Sequence, residues 1–160
     1  MNFHRAIFTN NSLLGSSLIE ANLRGVEIEN SDFKETNLAK ALFMVSWCNK
    51  TDFSNANLER IKAIGSTFSN SVLNNTKLIS ADLRNTTFDL CSCIGADFQG
   101  SDMSTSKLKN TSFRNANFRS CNLKDSTIEL CDFEGAIYNN ETILPSDNFD
   151  IIALGAKKII

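Results

Sequence analysis

The sequence predicts a solenoid, an array of short units stacked on one another, and three observations predict it. Every fifth residue from Phe3 to Ile143 is apolar or nearly so, and of the twelve Phe only Phe149 falls off that beat. Two places before each of these twenty-nine centres stands a small residue, Ala, Ser, Thr or Cys, in twenty-four cases, with Asn or Asp between them in twelve. One Pro and seven Gly leave no linker to divide the chain. A period of five matches neither a helix, at about 3.6, nor a plain strand, at about 2. A unit this short cannot bury its own apolar side chain, so burial has to come from stacking on neighbours.

Each unit reads small, polar, large apolar, polar, polar, as in Ala56-Asn57-Leu58-Glu59-Arg60 and Ala81-Asp82-Leu83-Arg84-Asn85. On these residues the chain resembles the pentapeptide-repeat family, whose consensus is A-(D/N)-L-x-x, over residues 1 to about 143. The resemblance implies an all-β fold, a right-handed quadrilateral parallel β-helix of about seven coils, with one unit per side and the centre and small residue pointing inward. It also divides the chain into a β-helix over 1–145 and a C-terminal cap or dimerisation tail over 146–160.

With four units to a coil, the centres fall into four columns of period twenty. The first runs Phe3, Leu23, Phe43, Ala63, Leu83, Met103, Leu123, Ile143, and the other three begin at Phe8, Leu13 and Leu18. Each buried Leu or Phe contributes on the order of 1.5–3 kcal/mol, enough for a continuous stack to hold a chain without packed helices. One unit exchanges volume between its two inward places: Ile61 fills the small slot where Ala63 is the centre. Packing tolerates such volume-conserving swaps.

The two ends differ. After Leu144-Pro145 the beat stops, and Asp150 is placed to cap a short helix through Ile151, Ile152, Ala153 and Leu154, with Gly155 as its stop. Phe149, Ile151, Ile152 and Leu154 either cover the last coil or form a dimer contact, as the tail does in some family members. At the other end Phe3 and Phe8 stand beside unpaired strand edges, which predicts end-to-end association or fraying of the first coil.

Composition narrows the function classes. A net charge of −2, from sixteen basic and eighteen acidic side chains, gives no basic run for nucleic acid or membrane headgroups. No stretch approaches the roughly 20 apolar residues that span a bilayer, and the first residues already belong to the repeat, so the expected location is the cytoplasm. Five Cys fit a reducing compartment: Cys48 and Cys93 are centres, whereas Cys91, Cys121 and Cys131 take the small slot, where a thiol acts as a compact apolar group. Cys91 and Cys131 share a side two coils apart, about 10 Å, too far for a disulfide. His4 is the only histidine and sits outward, and no phosphate loop, CxxC pair or HExxH motif occurs. Asp32, Asp52 and Asp132 align on one side with Glu35 and Glu134 nearby, but Val72, Ser92 and Ser112 interrupt them, which reads as a solvated face. The chain is expected not to be an enzyme and to need no cofactor or metal.

One outward feature stands apart from ordinary composition. Leu42, Met44, Val45 and Trp47 occupy outward places in consecutive units, and Ile64 lies one coil above Met44, predicting an exposed apolar patch rimmed by Arg24, Lys50, Lys62 and Arg84. Exposed Trp and Met mark partner surfaces. The competing reading is local packing over the small centres Cys48 and Ala63. Two function classes follow. The first is a non-enzymatic scaffold that presents rigid faces to a protein partner, without direct contact to nucleic acid or membrane, and with homodimerisation through an end of the rod as one mode of assembly. The second comes from the resemblance: a DNA-mimic modulator of gyrase that protects it from quinolones or toxins. That reading needs a strongly acidic surface, whereas the most acidic side sets Asp32, Glu35, Asp52, Asp132 and Glu134 against Lys34 and Arg114. Residues 138–145 resemble the ends of many bacterial family members, which suggests a lineage and no activity.

Overall fold

The computed structural model describes residues 1–160. One side of the chain carries a three-residue strand in every coil: β1 (Ile7–Thr9), β2 (Glu27–Glu29), β3 (Trp47–Asn49), β4 (Thr67–Ser69), β5 (Thr87–Asp89), β6 (Lys107–Lys109) and β7 (Thr127–Glu129). These pair in parallel and in sequence order, Phe8 on Ile28, Ile28 on Cys48, Cys48 on Phe68, always one coil of twenty residues apart. The other sides are joined by single-residue parallel bridges such as Asn2 to Asn22, Ser12 to Asp32 and Ser17 to Asn37. A last pair joins β8 (Ile137–Tyr138), in the repeats, to β9 (Lys157–Lys158), in the tail. The molecule is a parallel β-solenoid of about eight turns with no helix.

The sides and corners follow from three backbone devices. First, every fifth residue from Arg5 to Gly135 has a positive φ, between 48° and 73°. A left-handed residue at the third place of a turn reverses the local path, and at most corners other than those that follow the strands the next residue closes the turn on the centre's carbonyl, as Ala6 N–H does on Phe3 at 2.9 Å and Ala21 N–H on Leu18 at 3.0 Å. This conformation favours Gly and Asn, which accounts for Gly15, Gly25, Gly65, Asn70, Asn75 and their equivalents at the fifth place.

Second, the Asn or Asp before each centre accepts the backbone N–H two residues on, an Asx turn that holds the side straight. Arg24 donates to Asn22, Ser54 to Asp52, Glu59 to Asn57, Gln99 to Asp97 and Lys124 to Asn122, all between 2.9 and 3.3 Å. Third, hydroxyls in the small slot reach back to the coil below. Ser46 donates to the carbonyl of Leu23, Ser66 to Phe43, Thr76 to Phe53 and Thr86 to Ala63, at 2.6 to 3.1 Å, each spanning twenty-three residues. These Ser and Thr are thus buried with their polar atom paired, which removes the penalty of burying them, whereas the buried hydroxyls of Ser106 and Ser126 in the same slot have no partner.

Inside, the columns close into one apolar core. Phe33, Phe53, Phe68, Phe88, Phe98, Phe113, Phe118 and Phe133 are fully buried, and rings of successive coils stack, Phe68 on Phe88 at 5.2 Å and Phe98 on Phe118 at 5.0 Å between centroids. Ile61 and Ala63 are both buried, as the exchange of volume requires.

Two expectations are corrected at the C-terminal end. Ile143 is not an inward centre. Asn122 pairs with Ile143, twenty-one residues on, and Leu123 N–H donates to the Ile143 carbonyl. One extra residue is therefore housed at the corner around Asn139–Glu141. It leaves Ile143 exposed and brings Leu144 against the core, while Thr142 takes the small slot and donates to the Phe118 carbonyl at 2.9 Å. The segment after Asp150 is also not a helix. Asp150 Oδ1 does accept the Ala153 N–H at 3.0 Å, but only turns follow, because the open edge of the coil below captures the backbone. Phe133 and Gly135 donate to the Leu154 and Gly155 carbonyls, and Lys157 donates to Ala136. Exposed backbone at a sheet edge is a stronger attraction for these groups than an isolated single turn of helix. At the other end Phe3, Phe8 and Leu13 are only half-buried against the core.

Candidate partner-binding site

The apolar outward residues meet at the edge between the strand-bearing side and the side before it. Leu42 bridges Asn22 below and Lys62 above, and Trp47 in β3 stands between Glu27 and Thr67. Trp47 is 41% and Val45 74% exposed, whereas Leu42, Met44 and Ile64 are half-buried. Cys48 and Ala63 are completely enclosed beneath them.

Val45 is the unusual member. It occupies the corner place with φ 55°, a conformation that costs an L-residue about 1–2 kcal/mol and is rarest for β-branched side chains. The corners directly below and above are Gly25 and Gly65, with φ 64° and 68°. A Cβ on Gly25 would meet only Arg5 Cγ, at 3.5 Å, and one on Gly65 would meet open space. Val45 is therefore a knob between two bare notches, and the lower notch opens into a depression of about 430 Å³ lined by His4, Arg5, Arg24, Gly25, Met44 and Val45. Strain held at an exposed apolar position points to a use other than folding. Replacing Val45 with Asn, the residue at the equivalent Asn85, is expected to stabilise the fold by about 1 kcal/mol, a rise in Tm of roughly 2–4 °C. A calorimetric scan with Tm unchanged or lowered would show that Val45 packs favourably and carries no strain.

On the side that precedes the strands the charge is one-sided, whereas across the corner the exposed Glu27 stands directly below Trp47. The four stacked segments 1–5, 21–25, 41–45 and 61–65 contain no carboxylate, and their cations Arg5, Arg24 and Lys62 take part in none of the ion pairs of the molecule. Asp82, one coil above Lys62, is engaged by the Arg84 guanidinium through both oxygens at 2.8 Å, which holds its carboxyl below the usual range. His4 lies at the rim with Nδ1 3.0 Å from the Arg24 carbonyl oxygen.

The remaining sequence candidates are placed elsewhere. Asp32, Asp52 and Asp132 each accept an Asx-turn N–H, from Lys34, Ser54 and Glu134, and two of them pair with cations, Asp32 with Lys34 and Asp132 with Arg114. All five thiols are free and buried, and burial pushes them up, Cys91 to about 11 and Cys121 to about 12. In the tail, Ile151 is buried and Phe149 and Leu154 pack on the core, whereas Ile152 is 60% exposed. A second apolar group was not singled out by sequence. Leu90 and Leu130 project from the next corner with φ 55° and 52°, and Ile94 is exposed beside Leu90. The signal that would have found them is Leu in a corner place otherwise held by Asn and Lys.

The description "Pentapeptide repeats (8 copies)" matches residues 2–39, and "Pentapeptide repeat region" matches residues 42–118. The chain belongs to the pentapeptide-repeat family. Among curated proteins none matches. Two solved pentapeptide-repeat folds are similar. QnrB1, a plasmid-mediated fluoroquinolone resistance protein, is 18% identical with a TM-score of 0.68 over 96% of this chain and 92% of that one. The pentapeptide-repeat protein alr5209 from Nostoc PCC 7120 is 24% identical with a TM-score of 0.61, over 64% of this chain and 84% of its own. At these identities the likeness is one of fold. No helix of this pentapeptide-repeat chain is long and apolar enough to cross a membrane.

Proposed function

We propose that this chain is a non-enzymatic scaffold module that presents a rigid face to a protein partner, captured at the edge formed by Leu42, Met44, Val45, Trp47 and Ile64. The observation that carries the reading is Val45, a strained and exposed apolar knob between two glycine notches and beside the chain's only Trp. Trp anchors that fill pockets dominate binding energy at interfaces, and a backbone ladder locked in every coil loses little freedom on binding. Pentapeptide-repeat proteins are generally structural or interaction modules, which supports the same assignment. The double variant Met44→Ser with Trp47→Ser is expected to abolish capture of the native partner in a pull-down while leaving the far-ultraviolet spectrum intact. Retained capture would remove this edge from consideration.

The second reading, gyrase protection, draws support from the similarity to QnrB1, whose own name states fluoroquinolone resistance. Its physical requirement is a face charged like duplex DNA. On the most acidic side Lys34 and Arg114 pair with Asp32 and Asp132, which leaves short acidic stretches rather than a continuous one. A supercoiling assay with and without quinolone separates the two readings: the scaffold predicts no change in gyrase activity, and protection would favour mimicry.

A further inference from the structure

We infer that the occupant of this edge is an acidic, apolar stretch of a partner polypeptide, bound along the rod with an aliphatic side chain in the notch at Gly25. The inference rests on the reading of the edge as a partner site and adds the chemistry of what it takes. Its first support is charge: Arg5, Arg24 and Lys62 form no ion pair on four stacked segments without one Asp or Glu, Asp82 beside Lys62 is held by Arg84, and the nearest other carboxylate, Glu27, lies across the corner on the strand side. A partner segment that brings carboxylates here is steered in, and one that brings cations is repelled. The second support is shape. Between the cations lie Leu42, Met44, Val45 and Ile64, and the depression at Gly25 has an arginine wall on one side and a methionine and valine wall on the other. An aliphatic group fits that floor while its neighbouring carboxylate meets Arg5 or Arg24.

Spacing makes the assignment specific. Arg24 and Lys62 are two coils apart, about 10 Å along the rod, and a peptide in the polyproline II conformation repeats its face every three residues at about 3.1 Å each, so the complementary segment carries carboxylates three residues apart with apolar residues between them.

The only Trp, Trp47, lies beside the notch and reports binding through its fluorescence. The probe is a capped seven-residue peptide with glutamates at its second and fifth positions flanking two leucines, titrated into the full chain alongside the same peptide with glutamines and with lysines. Expected are a saturable change in emission with the glutamate peptide, binding weakened about tenfold or more with glutamines or on Arg24→Gln, and loss of affinity as salt rises. An unaltered circular dichroism spectrum confirms that Arg24→Gln is folded. Equal binding of the glutamate and glutamine peptides, or no effect of Arg24→Gln, would overturn the acidic partner while leaving an apolar docking edge in place. Binding of none of the peptides up to millimolar concentration would overturn the inference, and the partner reading would then stand or fall on the Met44→Ser and Trp47→Ser pull-down. Tighter binding of a single-stranded oligonucleotide at Trp47 would replace the peptide by nucleic acid.

Discussion

Truncating Phe113 to Ala is expected to destabilise the rod by about 3–5 kcal/mol. Phe113 is completely buried, and its ring touches the rings of neighbouring columns and coils: Phe133 at 5.1 Å, Phe118 at 5.4 Å, Phe98 at 5.8 Å and Phe88 at 6.5 Å between centroids. Removing it takes away both the buried area and an edge-to-face and stacked network worth about 0.5–1.5 kcal/mol per ring pair beyond that area. A globular core closes partly around such a hole. A solenoid closes less, because each coil is fixed in height by the ladder above and below it. Stability in such arrays is close to a sum of unit and neighbour terms, so loss of one interface weakens the link between the coils on either side. A fall in Tm of roughly 10 °C is expected, with hydrogen exchange quickened most in the coils around residue 113. Phe113→Leu should recover more than half of the loss. A decrease below about 1 kcal/mol for the Ala variant would mean that the ring stack is not a continuous support.

Ile61→Ala is the second large effect, at about 2–5 kcal/mol. Ile61 fills the slot that Ala41 and Ala81 occupy one coil below and above, and Ala63 stands in the column between Phe43 and Leu83. Ala in both places leaves the coil short of a branched aliphatic side chain, with nothing to collapse into the gap. The double variant Ile61→Ala with Ala63→Leu restores the common arrangement and is expected to regain most of the stability. Its measured stability should exceed the sum of the single changes, the sign of two residues sharing one volume. Chemical denaturation of the four proteins checks this. Simple additivity would show that Ile61 and Ala63 do not share that space.

Much of the molecule was legible in its sequence because the period itself is the fold. The centres from Phe3 to Tyr138 and the small slots, Ile61 included, face inward as read. The register failed where a single residue is inserted: with Ile143 and Leu144 adjacent and both aliphatic, hydrophobicity alone could not say which is buried. The tail failed for a related reason. Asp150 and the aliphatics after it have the local pattern of a capped helix, and nothing local records that the last coil leaves an open edge within reach. The Asx turns account for the Asn and Asp before the centres, while the bonds from Ser and Thr to carbonyls one coil below were hidden behind their smallness. At the candidate site, the sequence located Met44, Val45 and Trp47 through their polarity mismatch. It could not show that Gly25 and Gly65 flank Val45 as notches, since that contrast exists only once residues twenty apart become neighbours.

The extra residue near Asn140 bears on how such rods change length and outline. Its slack is absorbed within one bend, and by Leu123 on Leu144 the walls have resumed their alignment. Bends are therefore the splice points of this architecture: a segment grafted there protrudes from the prism, whereas the same addition along a flat wall would turn the rest of that wall's side chains inside out. A recognition loop transplanted at the bend occupied by Gly65, where nothing lies within 4 Å of an added carbon, would extend the tool without dulling the frame.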